Sequence, residues 1–287
     1  MQDSLCQRLV RLVCWYSTTQ PVASQIPASV KQFRNLSYVE NGRPRQQLDL
    51  YVPSGNRPRP LVIWIHGGGW AKGSKDRIGQ CQWVLQEGFA LASIGYRLTD
   101  EAIFPAQLDD CRAAIRWLVE RHEAYQLNPD QFHVWGASAG GHLAAMVALS
   151  RDPKTDYRVR SAINWFGPAD LLTMQQQRIL ATRLNADAPD SFESRLVGRP
   201  IQTVPALTRA ASPTSHVSAD DPPMLIMHGD QDALVPLAQS QMLYRRLQAT
   251  GISSQLIVLT GAGHGGRAFQ TESNRQLILD FLNHQQR

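Results

Sequence analysis

Cysteine is scarce in this sequence. Cys6, Cys14, Cys81 and Cys111 are the four among 287 residues, and their spacings fit neither a zinc site nor a dense disulfide framework. Cys81 and Cys111 fall in stretches with helical patterning and read as small buried hydrophobes. No run approaches the ~18 apolar residues of a membrane-spanning helix. There is no H-E-x-x-H and no carboxylate–histidine cluster at ligand spacing, so no metal is expected. The formal charge is +5. Its arginines are dispersed, at Arg43, Arg57, Arg112, Arg158, Arg195 and Arg245 for example. Without a basic stripe carrying interleaved aromatics, nucleic acid is not an expected partner. Internal repeats are absent. What the chain does have is 43% hydrophobic and 18% charged residues, enough apolar material for one large core. Its length suits a single large α/β domain.

Residues 1–35 carry few structural signals. Leu5, Leu9, Leu12 and Tyr16 recur at helical spacing, but Arg8 and Arg11 interrupt the apolar core that a signal peptide requires. A short amphipathic helix, a propeptide and a different start site remain open readings. The cytoplasm is then the default, with secretion open if the segment is processed. The domain proper is expected over residues 36–287.

Leu48–Val52 alternates like a half-exposed strand and is ended by Pro53-Ser54-Gly55-Asn56. Leu61–Ile65 is continuously apolar, as in a strand buried on both faces. Further strands are expected at Phe89–Ile94, Phe132–Trp135, Ala162–Phe166, Met224–Met227 and Leu256–Leu259. Helices are expected at 76–87, 106–121, 142–149, 237–248 and 275–282, with Pro105 placed at the start of the second. Strands alternating with helices predict a mostly parallel sheet covered on both faces. Residues 170–221 are polar, rich in proline and arginine and without strand patterning. An insertion of that length predicts a partly helical cap or lid.

The chemistry centres on Gly136-Ala137-Ser138-Ala139-Gly140. Strand, G-x-S-x-G, helix is the context of a nucleophile elbow. A serine on so tight a turn needs small residues two before and two after it, which Gly136 and Gly140 provide. A serine hydroxyl also needs a base, and the base an orienting acid. On an α/β sheet these follow in the chain order Ser, acid, His. His264 follows the strand 256–259 among glycines. Asp230 and Asp232 both follow the strand 224–227. Asp232 lies further along its loop, where it reaches towards His264, and is favoured as the acid; Asp230 is read as organising the turn. His66 opens His66-Gly67-Gly68-Gly69-Trp70 and is read as holding that loop through a ring hydrogen bond. His142, at the start of the helix beside the elbow, is read as a packing or hydrogen-bonding residue, and His228 as sitting inside the sheet edge. Backbone N–H groups of Gly68, Gly69 and Ala139 are placed to receive a developing oxyanion. Trp70 and Trp165 are candidate pocket walls, with core an equal reading for Trp165. No cofactor is implied. Ser74 stands where a Walker lysine would follow the glycine loop, and Gly261-x-Gly263 is too short for a dinucleotide fingerprint.

His66–Trp70, Gly136–Ala144, His228-Gly229-x-x-Asp232-x-x-Val235-Pro236 and His264-Gly265 together resemble the α/β-hydrolase carboxylesterases of the BD-FAE branch, near the hormone-sensitive-lipase-like esterases. Tyr96-Arg97-Leu98, Phe104–Leu108 with Asp110, Ala113–Leu118, Gly167–Leu171 and Pro222-Pro223 extend the likeness across residues 36–284. The resemblance implies an α/β-hydrolase fold that hydrolyses small-molecule or polysaccharide-linked carboxylic esters: short acyl, acetyl-sugar, feruloyl or polyester. Carried over by position, Ser138 is nucleophile, His264 base then acid, and Asp232 orienter. A peptidase-like or arylformamidase-like hydrolase would share fold and triad; the lack of a propeller-like partner domain weighs against the large peptidases. A non-catalytic binding protein on this fold typically loses a triad member, whereas every role has a candidate here.

Overall fold

The computed structural model describes residues 26–180, 182 and 184–284. The expectations for Leu5–Tyr16, Cys6 and Cys14 lie outside the described residues. An eight-stranded sheet runs in the order β1-β2-β4-β3-β5-β6-β7-β8. Its strands are β1 Val30–Ser37, β2 Gln47–Pro53, β3 Arg59–Ile65, β4 Ala90–Ile94, β5 Leu127–Ala137, β6 Ser161–Trp165, β7 Met224–Gly229 and β8 Ser254–Leu259. β2 pairs antiparallel with both β1 and β4, and the other neighbours are parallel.

The period of two along the central strands sorts side chains onto two faces. On one, Leu61, Ile63, Ile65 and Val134 pack against α1 (Ala106–Glu120), α2 (Ala139–Leu149) and α5 (Leu237–Ala249). On the other, Val62, Trp64, Trp135, Ile163 and Trp165 pack against Phe269 and α6 (Glu272–His284). Between β6 and β7, two short helices, α3 (Phe192–Val197) and α4 (Pro205–Ala210), occupy the 170–221 segment. Ser191 caps α3 by accepting the Ser194 N–H at 3.0 Å, and Gly198 ends it at φ 79°.

Three expectations differ from the structure. Residues 76–87 form no α-helix. Only a 3-10 turn at Gln82–Leu85 is regular, because Gly79 interrupts the segment and its apolar residues, Ile78, Cys81, Trp83, Val84 and Leu85, cluster onto β4's face of the sheet rather than following a helical stripe. Cys81 is buried, but just ahead of that turn. β2 is not half-exposed. Leu48–Val52 is buried throughout, and its polar member Asp49 is neutralised by Lys75 at 2.9 Å and Arg34 at 3.1 Å. Finally, β1 begins at Val30, upstream of the boundary expected at Leu36. An edge strand with exposed Lys31, Gln32, Arg34 and Asn35 has no apolar alternation to announce it.

Candidate active site

β5 runs straight into α2, and Ser138 is the residue between them. Its backbone stands at φ 57°, ψ −123°, a region that a non-glycine residue occupies only where its surroundings impose it. The surroundings are explicit. The Ser138 N–H is tied to the Trp165 carbonyl at 2.8 Å. A Cβ on Gly136 would lie 2.1 Å from the Gly140 carbonyl oxygen, and one on Gly140 2.0 Å from that of Ile65. Only glycine fits either place, as the pentapeptide predicts.

The loops after β7 and β8 bring the other two candidates to the same sheet edge. His264 Nε2 lies 2.8 Å from Ser138 Oγ, and His264 Nδ1 lies 2.6 Å from Asp232 Oδ2. An ionised carboxylate only accepts, so Nδ1 carries the hydrogen and Nε2 is left to accept the serine proton. Asp232 is buried. Burial alone would push its carboxyl up. The charge of His264 and hydrogen bonds from His228 and His264 outweigh it and hold the group well below the usual carboxylate range. Asp230 lies apart. Its Oδ1 accepts the Gly261 N–H at 2.8 Å, joining the β7 and β8 loops.

Ser138 and His264 line a cavity together with Gly69, Trp70, Ala139, Phe192 and Val235 among others, while Asp232 lies buried behind them. Gly68 is not among its lining residues; its backbone turns back to receive the Lys72 N–H at 3.2 Å. Gly69, at φ 60°, presses against the Phe192 ring of α3, which leaves no room for a side chain. His66 donates from Nδ1 to the Gly67 carbonyl at 2.9 Å. Its ring stacks on Tyr96 at 4.3 Å, and the Tyr96 hydroxyl returns a bond to the His66 carbonyl at 2.9 Å. Trp165 lies elsewhere. It is buried in the opposite face, 4.8 Å from Trp135 and 5.3 Å from Phe269 between ring centroids. The alternation of β6 turns its side chain away from the cavity.

A family model for BD-FAE matches residues 48–247. The chain belongs to the BD-FAE family. It is 29% identical over 267 residues to "Esterase LipC" of Mycobacterium tuberculosis (strain ATCC 25618 / H37Rv), covering 85% of this chain and 64% of that protein; the chain thus spans less than two thirds of that relative. Identity to the "Ethyl acetate hydrolase" of Pseudomonas putida is 30% over 240 residues, 75% of this chain and 69% of that one. Among solved structures, "Truncated form of carbohydrate esterase from gut microbiota" superposes with a TM-score of 0.80 at 28% identity, over 89% of this chain and 96% of that one. The sheet order and these neighbours make the fold an α/β-hydrolase fold.

Around the site of this BD-FAE chain, Phe166, Gln239, Arg178 and Glu193 gave no signal in the sequence, whereas His142 has the hydrogen-bonding place read for it. Phe166 holds φ 42° and sets its ring edge-on to His264 at 4.5 Å. Gln239 of α5 accepts the N–H groups of Ala169 and Asp170 at 2.7 Å each and donates to the Asp170 carbonyl at 2.9 Å. His142 donates from Nε2 to the Ala211 carbonyl at 2.7 Å and accepts from Trp70 Nε1 at 3.3 Å. It therefore joins the glycine loop, α2 and the 170–221 segment. That segment also brings two charged side chains to the wall, Arg178 and Glu193. Burial pushes the Arg178 guanidinium down and the Glu193 carboxyl up. Arg178 Nη1 donates to the Ala233 carbonyl at 2.9 Å.

Burial also sets a pH dependence of stability. It pushes His66 and His142 down to about 4 and His133 to about 3. In an unfolded chain histidine titrates near ~6.5. As pH falls through that value, the unfolded chain takes up protons that the folded one refuses, so stability falls with pH. The loss runs from about 6.5 down to about 4. Asp232 adds to it at lower pH, since its contribution exists only above the unfolded carboxylate pKa and is lost below. Glu193 acts in the opposite sense, one group against three histidines. Thermal unfolding at pH 7, 6, 5 and 4 is expected to show a midpoint that drops at each step. A midpoint level from pH 7 to 4 would contradict the burial of these rings as neutral species.

Proposed function

We propose that this chain is a serine carboxylesterase acting through an acyl-enzyme. The observation that carries the reading is the chain of two short hydrogen bonds, Ser138 Oγ to His264 Nε2 at 2.8 Å and His264 Nδ1 to Asp232 Oδ2 at 2.6 Å, opening on a cavity. Ser138 Oγ attacks the ester carbonyl carbon as His264 Nε2 takes its proton. The carbonyl oxygen becomes an oxyanion held by backbone N–H groups of Gly69 and Ala139, with Gly68 shaping the loop behind them. One such donor contributes about 3 kcal/mol in other serine hydrolases. The tetrahedral species collapses, the alcohol leaves with the proton from His264, and an acyl-serine remains. Water then gives a proton to His264 and attacks the acyl carbon, and Ser138 is regenerated as the acid departs. Asp232 stays ionised throughout, fixing the ring and stabilising the imidazolium.

The 170–221 segment acts as the cap that defines the substrate. Together with Trp70, Pro168 and Val235 it offers a mainly apolar wall, through Met174, Leu184 and Phe192, suited to a short acyl or aromatic acyl group. The names of the relatives, esterase, ethyl acetate hydrolase and carbohydrate esterase, support ester bonds as the target class. Acetyl-sugar, feruloyl and polyester substrates fall within that class. Purified protein assayed on p-nitrophenyl acetate, an aminoacyl p-nitroanilide and N-formylkynurenine is expected to turn over only the first. Comparable rates on the anilide or the formamide would move the reading to a peptidase or an arylformamidase. A series from acetate through feruloyl esters to acetylated xylan then ranks acyl and alcohol preference.

A further inference from the structure

His228, near the end of β7, is fully buried and takes part in none of the steps above. Its Nε2 lies 2.9 Å from the Val235 carbonyl oxygen and 3.2 Å from Asp232 Oδ2. Both oxygens only accept, so Nε2 carries the hydrogen. Nδ1 lies 2.7 Å from Ser240 Oγ; in the neutral ring that hydroxyl donates to it, and the bond fixes the tautomer. Oδ2 is the same carboxylate oxygen that His264 Nδ1 approaches at 2.6 Å. The other oxygen, Oδ1, accepts the N–H groups of Leu234 and Val235 at 2.8 and 2.9 Å. Asp232 is therefore held between two imidazoles, one facing the serine and one facing the sheet.

We propose that His228 is a positioning residue for this site. Its Nε2–H steers Oδ2 towards His264 and, through the Val235 carbonyl, ties the acid's loop to the cavity wall that Val235 forms. The inference rests on the esterase reading above. It goes beyond packing because of how a shared oxygen behaves. An N–H from behind draws negative charge away from the bond to His264. Removing it leaves Oδ2 a stronger partner for an imidazolium, which raises the proton affinity of His264. The titratable groups facing Asp232 are His228 and His264, with Arg178 of the 170–221 segment at longer range.

The test compares His228→Phe, His228→Asn and His228→Gln, with folding checked by circular dichroism and melting temperature. Phenylalanine keeps a ring but no donor. Asparagine carries an amide N–H only as far as the Nδ1 position, and glutamine carries one near Nε2. On p-nitrophenyl acetate, kcat is expected to fall roughly tenfold to a hundredfold in the Phe and Asn variants, the size of one hydrogen bond to a charged group. KM should change little, and the acid limb of kcat/KM should move to higher pH. Glutamine should recover most of the rate and the original limb. A folded His228→Phe protein with unchanged kcat and acid limb would overturn the proposal. So would equal losses in the Asn and Gln variants, a contrast that decides the matter even if His228→Phe does not fold. Ser138→Ala is assayed alongside. Turnover in that variant would remove the esterase reading itself, whereas a dead Ser138→Ala protein beside unaffected His228 variants would remove only this inference.

Discussion

Ser138→Ala is expected to lower ester turnover by at least about 10^4-fold, with the fold intact. The reason is specific to the position. The Oγ at 2.8 Å from His264 Nε2 is the atom that would bond to the acyl carbon. What holds the elbow does not depend on it: the Ser138 N–H still reaches the Trp165 carbonyl, and Gly136 and Gly140 still allow the close approach of strand and helix. Burst kinetics with p-nitrophenyl acetate, together with mass spectrometry after a phosphonate or fluorophosphonate probe, should show one modified serine in the parent protein and none in the variant. A labelled variant, or one with ordinary turnover, would place the nucleophile elsewhere.

Asp232→Asn is expected to produce the second large loss, about 10^4-fold in kcat. The amide is nearly the shape of the carboxylate, so the loop should persist. What changes is the face shown to His264. An amide nitrogen there favours the other imidazole tautomer and withdraws the charge that would stabilise an imidazolium. Asp230→Asn is the control. Its Oδ1 receives the Gly261 N–H in an exposed turn, and an amide oxygen can accept the same bond. A larger loss at Asp230 than at Asp232 would reverse the assignment. In neither variant should the rate climb as pH falls below about 5, because the base must be unprotonated to act.

Much of the site was legible in the sequence because its residues stand at ends of strongly patterned elements. Ser138, Asp232 and His264 each follow an apolar strand, and the ends of parallel strands converge on one edge of a sheet. The glycines of the elbow follow from the sterics of the turn alone. The misreadings have equally physical causes. For Trp165 the pattern leaves pocket wall and core equally open, because in a strand a shift of one residue selects the opposite face, and the structure places it in the core. β1 has one covered edge and exposed side chains, so its residues carry no period. Asp49 looked like the solvent side of β2, because no local pattern reveals that Lys75 will arrive from a loop to neutralise it. Phe166 and Gln239 act across long sequence separations through ring contacts and single hydrogen bonds, which leave no trace in the neighbouring residues.

The fastening of the 170–221 segment has a consequence for how substrate preference can change in such a protein. Gln239 grips its entry at Ala169 and Asp170, and His142 grips it near its exit at Ala211. Both anchors belong to helices of the main domain and hold backbone atoms, and the one side chain between them that Gln239 also engages closely is Gln177, at 2.8 Å. The stretch from 171 to 210 is therefore expected to exchange as a cassette where the insert keeps Gln177 and apolar residues at Leu171, Leu196, Val197 and Ile201, which enter the main core. A chimera carrying a relative's insert between these two clamps should inherit that relative's choice of ester, while the machinery beneath keeps its spacing.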